Sequence, residues 1–397
     1  MNKATIKDID IKGKKVLVRV DFNIPLDDQR NVTDDTRIRA ALPTIQYLME
    51  QDCKIILMSH LGRPKGEYDA KYSMEPVAKR LSELLQKEVK QARDCISEQT
   101  KQMAKELQSG EILLLENTRF YPGEVKNDPE LARELASMGE VFVNDAFGAA
   151  HRAHSSTVGV ADYIPAVAGF LLEKELIVLT EILENPDRPF TAVIGGAKVS
   201  DKIMVLKNLT TKVDNLIIGG GMANTFLKAK GVNMADSLVE NDKLELAKAI
   251  EEEANALGVN LLLPIDLVVA EEISEGVQIQ MVRGDVPEGY KALDIGSSSA
   301  IAFAQIIKNS ALVLWNGPMG VFEIDKFARG TEVIARAVAE CDGKAIVGGG
   351  DSVAAIEKVG VADSIYHIST GGGASLEFLE GKILPGVAAL RTVVGRQ

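Results

Sequence analysis

Short hydrophobic runs recur along the whole chain, and each is followed by a polar or glycine-rich loop and then by a segment of helical periodicity. The runs are continuous rather than alternating, which is typical of strands covered on both faces. Their alternation with helices predicts an α/β protein with two doubly wound, mostly parallel sheets. The runs lie at 16–20, 54–58, 111–115, 140–144, 191–194, 215–218, 260–263, 311–315, 344–347 and 366–369, with weaker ones around 278–282 and 291–295.

A stripe of leucines separates the first four runs from the others. Leu172, Leu176, Leu179 and Leu183 are spaced by 4, 3 and 4 residues, which is the spacing of one helical face. The segment Asn185–Pro186 then ends the pattern. We interpret the stripe as a helix that connects two domains, and an ordinary crossover helix within one sheet is the alternative.

Composition supports two domains with different chemistry. A chain of 397 residues is too long for one ordinary core. Residues 1–168 hold 8 of the 34 glycines but 10 of the 16 arginines, and residues 169–397 hold the rest. The first part is therefore rich in cationic side chains, and the second part is rich in glycines, whose backbone N–H groups no side chain covers.

The net charge, the lack of long apolar runs and the cysteines indicate which partners and which cellular compartment the sequence predicts. The formal net charge of −12 argues against nucleic acid or anionic lipid as the main partner. No run of about 18 uncharged apolar residues predicts a membrane span, and the first residues contain no secretory hydrophobic segment. Cys53, Cys95 and Cys341 lie far apart without a CxxC pair, which indicates reduced thiols in a cytoplasmic protein.

The loops after the strands of the second part contain three triple glycines, at 219–221, 348–350 and 371–373. Glycine lets a phosphate approach backbone N–H groups, and a following helix directs its own N–H groups at the same anion. In this interpretation Asp351 reaches a phosphate-bound Mg2+ and Ser352 caps the helix that follows. Tight turns without any ligand are the alternative.

A lysine is expected on the transferred phosphate. Lys202, seven residues after Gly195, is the first candidate, and Lys198 competes with it. A solvated helix lysine is the ordinary alternative for either residue. The chain lacks GxxxxGK followed by Ser or Thr and also lacks GxGxxG, which argues against P-loop enzymes, protein kinases and standard dinucleotide folds.

The loops of the first part predict a site for a small anion. Arg37, Arg63, Arg119 and Arg152 come from separate segments, mostly just after strands, and guanidinium binds phosphate or carboxylate bidentately. Each arginine taken singly is also compatible with a surface ion pair. The sequence HRAH at 151–154 gives only weak support for a metal site, and GxSxG and HExxH are absent.

Nine sequence motifs, spread over essentially the full length of the chain, together resemble those of one protein family. The chain resembles the phosphoglycerate kinase family, which implies two Rossmann-like doubly wound parallel-sheet domains joined by a connecting helix. In order, the motifs are RVDFN, SHLGRP, ENTRF, NDAFGAAHRAHSS, GGAKVSDKI, GGGMANTF, WNGPMGVFE, GGGDS and STGGGASLE.

The resemblance implies a division of labour between the domains. Residues 1–168 would bind 3-phosphoglycerate, residues 169–382 would bind the nucleotide, and the segment 383–397 would return to the first domain. The reaction would be Mg2+-dependent phosphoryl transfer between 1,3-bisphosphoglycerate and ADP, giving 3-phosphoglycerate and ATP, in glycolysis. The protein would act as a monomer, without nucleic acid or membrane partners.

Site residues follow from the matching motifs. The substrate would bind at Asp21, Phe22, Asn23, Arg37, His60, Leu61, Gly62, Arg63, Arg119 and Arg152. The nucleotide would bind at Lys202, Glu323 near the ribose, Gly349, Gly350, Asp351 and Ser352, with Asp351 also at the metal. Arg37, Lys202, Gly372 and Gly373 would surround the transferring group.

Three positions depart from the family pattern or vary within it. Ala149 replaces a hydroxyl residue that is usual in its loop, and His154 is not fixed in the family. Ala292 stands where many relatives carry glycine against the adenine, so the resemblance implies less about base selectivity than about chemistry.

The implied mechanism needs no general base, because a carboxylate nucleophile is already ionised at neutral pH. The site must align the reactants and neutralise the transferring phosphoryl group. With cations on one domain and nucleotide on the other, the domains would close about the connector at 166–183. Another acyl-phosphate kinase and a non-catalytic binding protein for a phosphorylated metabolite are the alternatives.

Overall fold

A computed structural model describes residues 2–393 of the chain. The chain forms two compact units, one of Met1–Val178 with Ile383–Gln397 and the other of Leu179–Lys382. Within residues 2–393, no helix combines the length and the apolar character that crossing a membrane requires.

The first unit is built on a six-stranded sheet in which every pair of neighbours is parallel. The spatial order of its strands is β3-β4-β2-β1-β5-β6. The central strands β1, β2, β4 and β5 are almost completely buried, as their continuous apolar sequences predict. The strands are β1 (Lys15–Arg19), β2 (Lys54–Met58), β3 (Val89–Gln91), β4 (Ile112–Leu114), β5 (Val141–Asn144) and β6 (Ala166–Ala168).

Helices cover this sheet and begin at local sequence signals. The side chain of Asp128 accepts hydrogen bonds from Glu130 N and Leu131 N, and Pro129 occupies the first position of the helix that follows. Ser97 caps another helix by accepting from Thr100 N. The helices are α1 (Thr36–Glu50), α2 (Glu75–Leu85), α3 (Glu98–Glu106) and α4 (Pro129–Ala136).

The predicted connecting helix is α5 (Phe170–Glu184), between the last strand of the first sheet and the first strand of the second. This position excludes the alternative of a crossover within one sheet. In the first unit Asp145 Oδ1 accepts hydrogen bonds from Leu171 N (2.9 Å) and Leu172 N (3.2 Å). In the second unit the α5 residue Glu181 pairs with Lys344 at 2.6 Å.

The chain after residue 382 belongs to the first unit. Arg391 N donates to Ala166 O at 2.9 Å, and Ala4 N donates to Arg391 O at 2.9 Å. The short helix α13 (Pro385–Ala388) lies next to the loop after β5, since Gly386 N donates to Ala150 O at 2.8 Å.

The second unit has its own six-stranded parallel sheet, in the order β15-β14-β13-β7-β8-β9. A separate antiparallel sheet has the order β11-β10-β12. The strands are β7 (Phe190–Ile194), β8 (Asn215–Ile218), β9 (Asn260–Leu262), β10 (Leu267–Ala270), β11 (Gln280–Val282), β12 (Lys291–Ile295), β13 (Leu312–Asn316), β14 (Lys344–Gly348) and β15 (His367–Ile368).

Three of the helices of the second unit begin two residues after the end of a strand. Their apolar faces form a core with the sheet, in which Trp315, Phe303 and Val313 are buried. The helices are α6 (Ile203–Thr210), α7 (Gly220–Ala229), α8 (Leu244–Ala256), α9 (Ser297–Lys308), α10 (Arg329–Ala339), α11 (Gly350–Val359) and α12 (Gly373–Leu379).

The hydrophobic runs locate all ten predicted strands of the two large sheets to within two residues at either end. The two weaker runs form β11 and β12, which belong to the small antiparallel sheet. The pattern misses β3, β6 and β10, which have only three or four residues each. β3 (VKQ) is largely polar and β6 (AVA) is largely alanine, so neither stands out as a run of β-branched residues or leucine.

Candidate active site

The predicted substrate residues of the first unit follow β1, β2, β4 and β5 or lie at the start of α1. These four strands are consecutive neighbours in the sheet, in the order β4-β2-β1-β5. Since all four are parallel, their carboxyl ends lie at the same edge of the sheet. The topology therefore brings the loops with the predicted residues together.

Hydrogen bonds connect the loop after β1 to α1 and to the loop after β2. Arg37 Nη1 donates to Asp21 Oδ2 at 3.1 Å and to Asn23 O at 3.2 Å. Asn23 Oδ1 accepts from Gly62 N at 2.8 Å. Asp21, Asn23, Arg37 and Gly62 thus form one polar cluster, and the Arg37 side chain is still 36% exposed.

Gly62 connects this cluster to Arg119. Its carbonyl oxygen accepts from Arg119 Nη1 at 2.9 Å. Its φ of +60° disfavours other residues, and a Cβ there would lie 2.4 Å from the Tyr72 ring. The Nε of Arg119 is buried without a hydrogen-bond partner. This donor is suited to an acceptor oxygen that a ligand would supply.

The remaining predicted residues of this unit have different surroundings. Phe22 and Leu61 are buried in the hydrophobic core, so only their backbone is available to a ligand. Arg63 is exposed and has no hydrogen bond or ion pair within residues 2–393. Arg152 is exposed, and its Nε donates to His151 Nε2 at 3.1 Å.

A buried polar layer that the sequence interpretation missed lies next to these residues. Arg19, which is only 1% exposed, approaches His60 Nδ1 with its Nη2 at 3.0 Å. Its Nε donates to Ser156 Oγ at 2.8 Å, and Ser156 also contacts the buried Glu124. The only sequence signal was an arginine at the end of an otherwise apolar strand, and nothing local marks Glu124.

The second unit contains a cavity of about 300 Å³ at the carboxyl ends of its parallel strands. Most of its wall is apolar or glycine, with a few charged side chains. The lining includes Gly196, Gly220, Gly221, Asn224, Leu238, Pro264, Leu267, Ala292, Leu293, Asp294, Met319, Gly320, Val321, Glu323 and Asp351. An apolar cleft with a small number of polar groups is typical of a small-molecule site.

Glycines let the loops of this cavity approach each other closely. A Cβ at Gly195 would lie 2.0 Å from Pro318 O, so that position excludes any side chain. Gly196 N donates to Pro318 O at 3.1 Å, and Gly220 N donates to Met319 O at 3.0 Å. The loops after β7, β8 and β13 are therefore held together by backbone hydrogen bonds.

Lys202 lies directly before α6 and points its ammonium group into these loops. Its Nζ donates to Gly195 O (2.7 Å), Asn316 O (3.0 Å) and Asn316 Oδ1 (2.6 Å). Burial lowers the pKa of Lys202 to about 8, although Asp351 acts in the opposite direction. The competing candidate Lys198 is exposed and has no polar partner within residues 2–393.

Asn316 is a further residue that the sequence interpretation did not single out. It is 2% exposed, and its Nδ2 donates to Gly348 O at 2.9 Å. It thereby links Lys202 to the glycine loop after β14. Its position as the last residue of β13, at the start of NGPMG, was the signal that could have identified it.

The loop after β14 corrects one expectation. α11 has no side-chain cap, so Ser352 does not cap it. The Ser352 hydroxyl accepts instead from Gly317 N at 2.6 Å and is completely buried. Gly349 precedes the helix, and Gly350 and the exposed Asp351 form its first turn. Without a capping side chain, the first N–H groups of α11 are available to an anion.

The other two predicted nucleotide elements are also at helix starts or on the cavity wall. Gly372 directly precedes α12, Gly373 is its first residue, and no side chain caps the helix. Glu323 is exposed and lines the cavity. Ala292 lines the same cavity, and its N–H donates to Ser237 Oγ at 2.9 Å.

The side chains around Asp351 indicate which kind of metal ion the second unit could bind. Among residues 2–393, no cluster of three or more His, Cys, Asp or Glu side chains is arranged to hold a metal ion. A single exposed carboxylate beside a glycine loop fits Mg2+ that arrives with a nucleotide, because Mg2+ takes one or two carboxylates and completes its shell with phosphate oxygens and water.

Comparisons with known proteins agree over nearly the whole chain. A family model described as phosphoglycerate kinase matches residues 6–382. A phosphoglycerate kinase of Moorella thermoacetica is 60% identical over 391 residues, which is 98% of this chain and 99% of the relative.

Solved structures are similar to the same extent. The phosphoglycerate kinase of Coxiella burnetii has a TM-score of 0.89 at 43% identity, and that of Pyrococcus horikoshii OT3 has a TM-score of 0.83 at 35% identity. Each comparison covers 98% of both chains. The resemblance and the α/β fold class with two doubly wound sheets, both predicted from the sequence, are confirmed.

Proposed function

Since this chain belongs to the phosphoglycerate kinase family, we propose that its two units bind the two reactants of that reaction and that the residues described above carry it out. The chain is a phosphotransferase that moves a phosphoryl group between 1,3-bisphosphoglycerate and ADP in glycolysis. One observation carries the assignment of residues: Lys202, a partly buried cation, lies among glycine loops beside a nucleoside-sized cavity.

The first unit binds the triose acid. Arg37, Asn23 and Asp21 form a connected polar cluster, and Arg119 contributes a buried Nε without a partner. Arg63 and Arg152 are exposed in the loops after β2 and β5. Guanidinium groups bind phosphate and carboxylate through paired hydrogen bonds, so this surface suits a ligand that carries both groups.

The second unit binds the nucleotide. The apolar wall around Leu238, Leu293 and Val321 suits the flat base, and the carboxylate of Glu323 suits a ribose hydroxyl. The uncapped starts of α11 and α12 supply N–H groups for phosphate oxygens. Asp351 would hold Mg2+, which neutralises phosphate charge when it is bound.

The chemistry requires alignment and charge neutralisation rather than proton transfer. In the direction that consumes ATP, a carboxylate oxygen of 3-phosphoglycerate forms the new bond to the γ-phosphorus, and the bond to the β-bridging oxygen breaks to release ADP. The present acceptors of Lys202 Nζ are neutral oxygens of Gly195 and Asn316. A phosphoryl group that gathers negative charge would compete well for this ammonium group, because charge-assisted hydrogen bonds are stronger.

Closure of the molecule about the connecting helix stays a prediction, as do the cytoplasmic location and the monomeric state. Small-angle X-ray scattering with both substrates tests closure, and unchanged dimensions would contradict it. Gel filtration with light scattering tests the monomer.

A coupled assay tests the reaction. ATP, Mg2+ and 3-phosphoglycerate, with glyceraldehyde-phosphate dehydrogenase and NADH, should give NADH loss. The dehydrogenase detects only 1,3-bisphosphoglycerate, so acetate and carbamate are compared as acceptors by ADP release, coupled to pyruvate kinase and lactate dehydrogenase. Neither should release ADP, because neither carries the second anionic group that the arginines are suited to bind. Equal rates of ADP release with acetate would favour another acyl-phosphate kinase, and binding of 3-phosphoglycerate without turnover would favour a binding protein.

A further inference from the structure

His60 belongs to the predicted triose site, and its ring lies against a fully buried cation. Arg19 Nη2 lies 3.0 Å from His60 Nδ1, and Arg19 and His60 are 1% and 6% exposed. A guanidinium group has only N–H donors and cannot accept a hydrogen bond. The contact is therefore a hydrogen bond only if Nδ1 is the acceptor, which requires that Nδ1 carries no proton.

The surroundings of His60 also oppose a second proton on the ring. Burial is the largest cause that lowers the pKa of His60 well below 6.5. Four neighbouring groups act in the same direction, namely Arg19 from β1, Arg119 from the loop after β4, His154 from the loop after β5 and Arg37 from α1. A neutral ring with a bare Nδ1 must carry its single proton on Nε2.

Arg19 is itself held rigidly, so it cannot turn away from the ring. Its Nη1 donates to Val20 O, and its Nε donates to Ser156 Oγ at 2.8 Å. Ser156 Oγ donates in turn to Glu124 Oε1 at 2.5 Å, and Thr118 Oγ1 donates to the same oxygen at 3.1 Å. Ser156 thus bridges a buried cation and a buried anion, which compensates for the burial of both charges.

We propose that Arg19 is a positioning residue that holds His60 as the neutral tautomer with its proton on Nε2, so that the ring donates this N–H to an oxygen of the acidic substrate. Nε2 makes no hydrogen bond within residues 2–393. His60 then acts as a neutral, oriented donor, and neither as a cation nor as a proton acceptor. This inference rests on the proposed binding of 3-phosphoglycerate by the first unit.

The tautomer can be measured directly on the unmodified protein. Histidine labelled with 15N, observed by long-range 1H–15N correlation, distinguishes a bare from a protonated ring nitrogen. The chain has four histidines, so the spectrum of His60→Gln identifies the signals of His60 by their loss. We expect a bare Nδ1 and a protonated Nε2 from pH 6 to pH 8. A protonated Nδ1, or an imidazolium ring in this range, would overturn the proposal.

Two substitutions of His60 test which ring nitrogen donates the hydrogen bond to the substrate. Glutamine places its amide nitrogen near the position of Nε2, and asparagine places it near the position of Nδ1. Since a hydrogen bond to a charged group contributes about 1.5–3 kcal/mol, we expect the KM for 3-phosphoglycerate of His60→Asn to exceed that of His60→Gln by about tenfold to a hundredfold. The reverse order would contradict an Nε2 donor.

Arg19→Met tests the role of the guanidinium group, with Arg39→Met as the matched control. Arg39 lies on α1, 55% exposed, and pairs with Asp35 outside this layer. We expect that Arg19→Met shifts part of the His60 proton to Nδ1 and raises the KM for 3-phosphoglycerate more than it lowers kcat, whereas Arg39→Met changes neither. An unchanged tautomer in folded Arg19→Met would refute the positioning role.

The outcomes separate this inference from the proposed function. If 3-phosphoglycerate neither binds to nor shifts the His60 signals of the wild-type protein, the proposed function of the first unit fails, whatever the tautomer is. If the substrate binds but His60 carries its proton on Nδ1, only the role of Arg19 fails. If Arg19→Met does not fold, the wild-type spectrum and the two His60 variants still decide which nitrogen carries the proton, and a proton on Nδ1 still overturns the proposal.

Discussion

Replacing Lys202 by methionine should lower turnover about 100-fold to 1,000-fold and leave the fold intact. Two opposing contributions to stability can be derived from the structure. The difference between the ordinary pKa of 10.5 and about 8 corresponds to about 3 kcal/mol that opposes the charged lysine in the folded state. Methionine relieves this cost but loses three hydrogen bonds to Gly195 and Asn316, at about 1 kcal/mol each. The free energy of unfolding should therefore change by less than about 2 kcal/mol.

Turnover should respond very differently. A cation that acts on the charge of the transition state typically contributes a factor of about 100 to 1,000 in kcat. The coupled assay measures this loss, and urea unfolding at pH 7 measures stability on the same preparations. Lys198→Met, on the exposed part of the same loop, is the matched control and should keep its turnover. A Lys202→Met protein that retains turnover but loses its stability would refute the assignment.

The same lysine predicts a pH dependence with a definite sign. Its folded-state pKa of about 8 lies below the unfolded value of 10.5, so the charged lysine destabilises the fold at neutral pH, and this cost disappears as the pH rises from about 8 to 10.5. The charge needed for the nucleotide is lost over the same range. The kcat/KM for ATP should therefore fall as the pH rises through about 8. A value that rises through this range would contradict a catalytic ammonium group.

Three further substitutions test the two sites. Arg37→Met should lower kcat/KM for 3-phosphoglycerate at least about tenfold with a small change in the melting temperature, because Arg37 is partly exposed; loss of stability with normal kinetics would contradict this. Gly62→Ala should lower the free energy of unfolding by about 1–3 kcal/mol, because the new Cβ would meet the Tyr72 ring. Adding Tyr72→Ala to the same chain should recover part of this loss, and no recovery would exclude that clash. Ser352→Ala should lower the free energy of unfolding by about 1–3 kcal/mol and weaken ATP binding in calorimetry, because Gly317 N loses its buried acceptor. An unchanged ATP affinity would show that the nucleotide loop does not depend on this hydrogen bond.

The strands could be predicted because local sequence and burial coincide in this fold. A strand of a parallel sheet with helices on both faces is apolar along its whole length, so segments such as KIILM and NLII are recognisable in isolation. Segments such as VKQ and AVA have only three residues, and their strand conformation depends on pairing with β4 and β5. Pairing partners are not encoded in so short a pattern.

The sequence also predicted some of the candidate site residues, because their position depends on the ends of strands. Ligand-binding loops follow parallel strands, so the sequence alone could point to Arg37, Lys202 and Asp351. It could not show that Ser352 serves the distant Gly317 instead of its own helix, since that choice depends on the neighbouring strands β13 and β14.

The sequence by itself thus determined which residues stand at the ends of strands and which chemical groups they offer. The tertiary structure decided which of them meet. Arg19 reaches Ser156 across 137 positions and His60 across 41, and these contacts exist because β1 lies between β2 and β5 in the sheet. Strand order is set by the packing of the whole unit, so the partner of a buried charge is a property of the assembled sheet rather than of any local sequence.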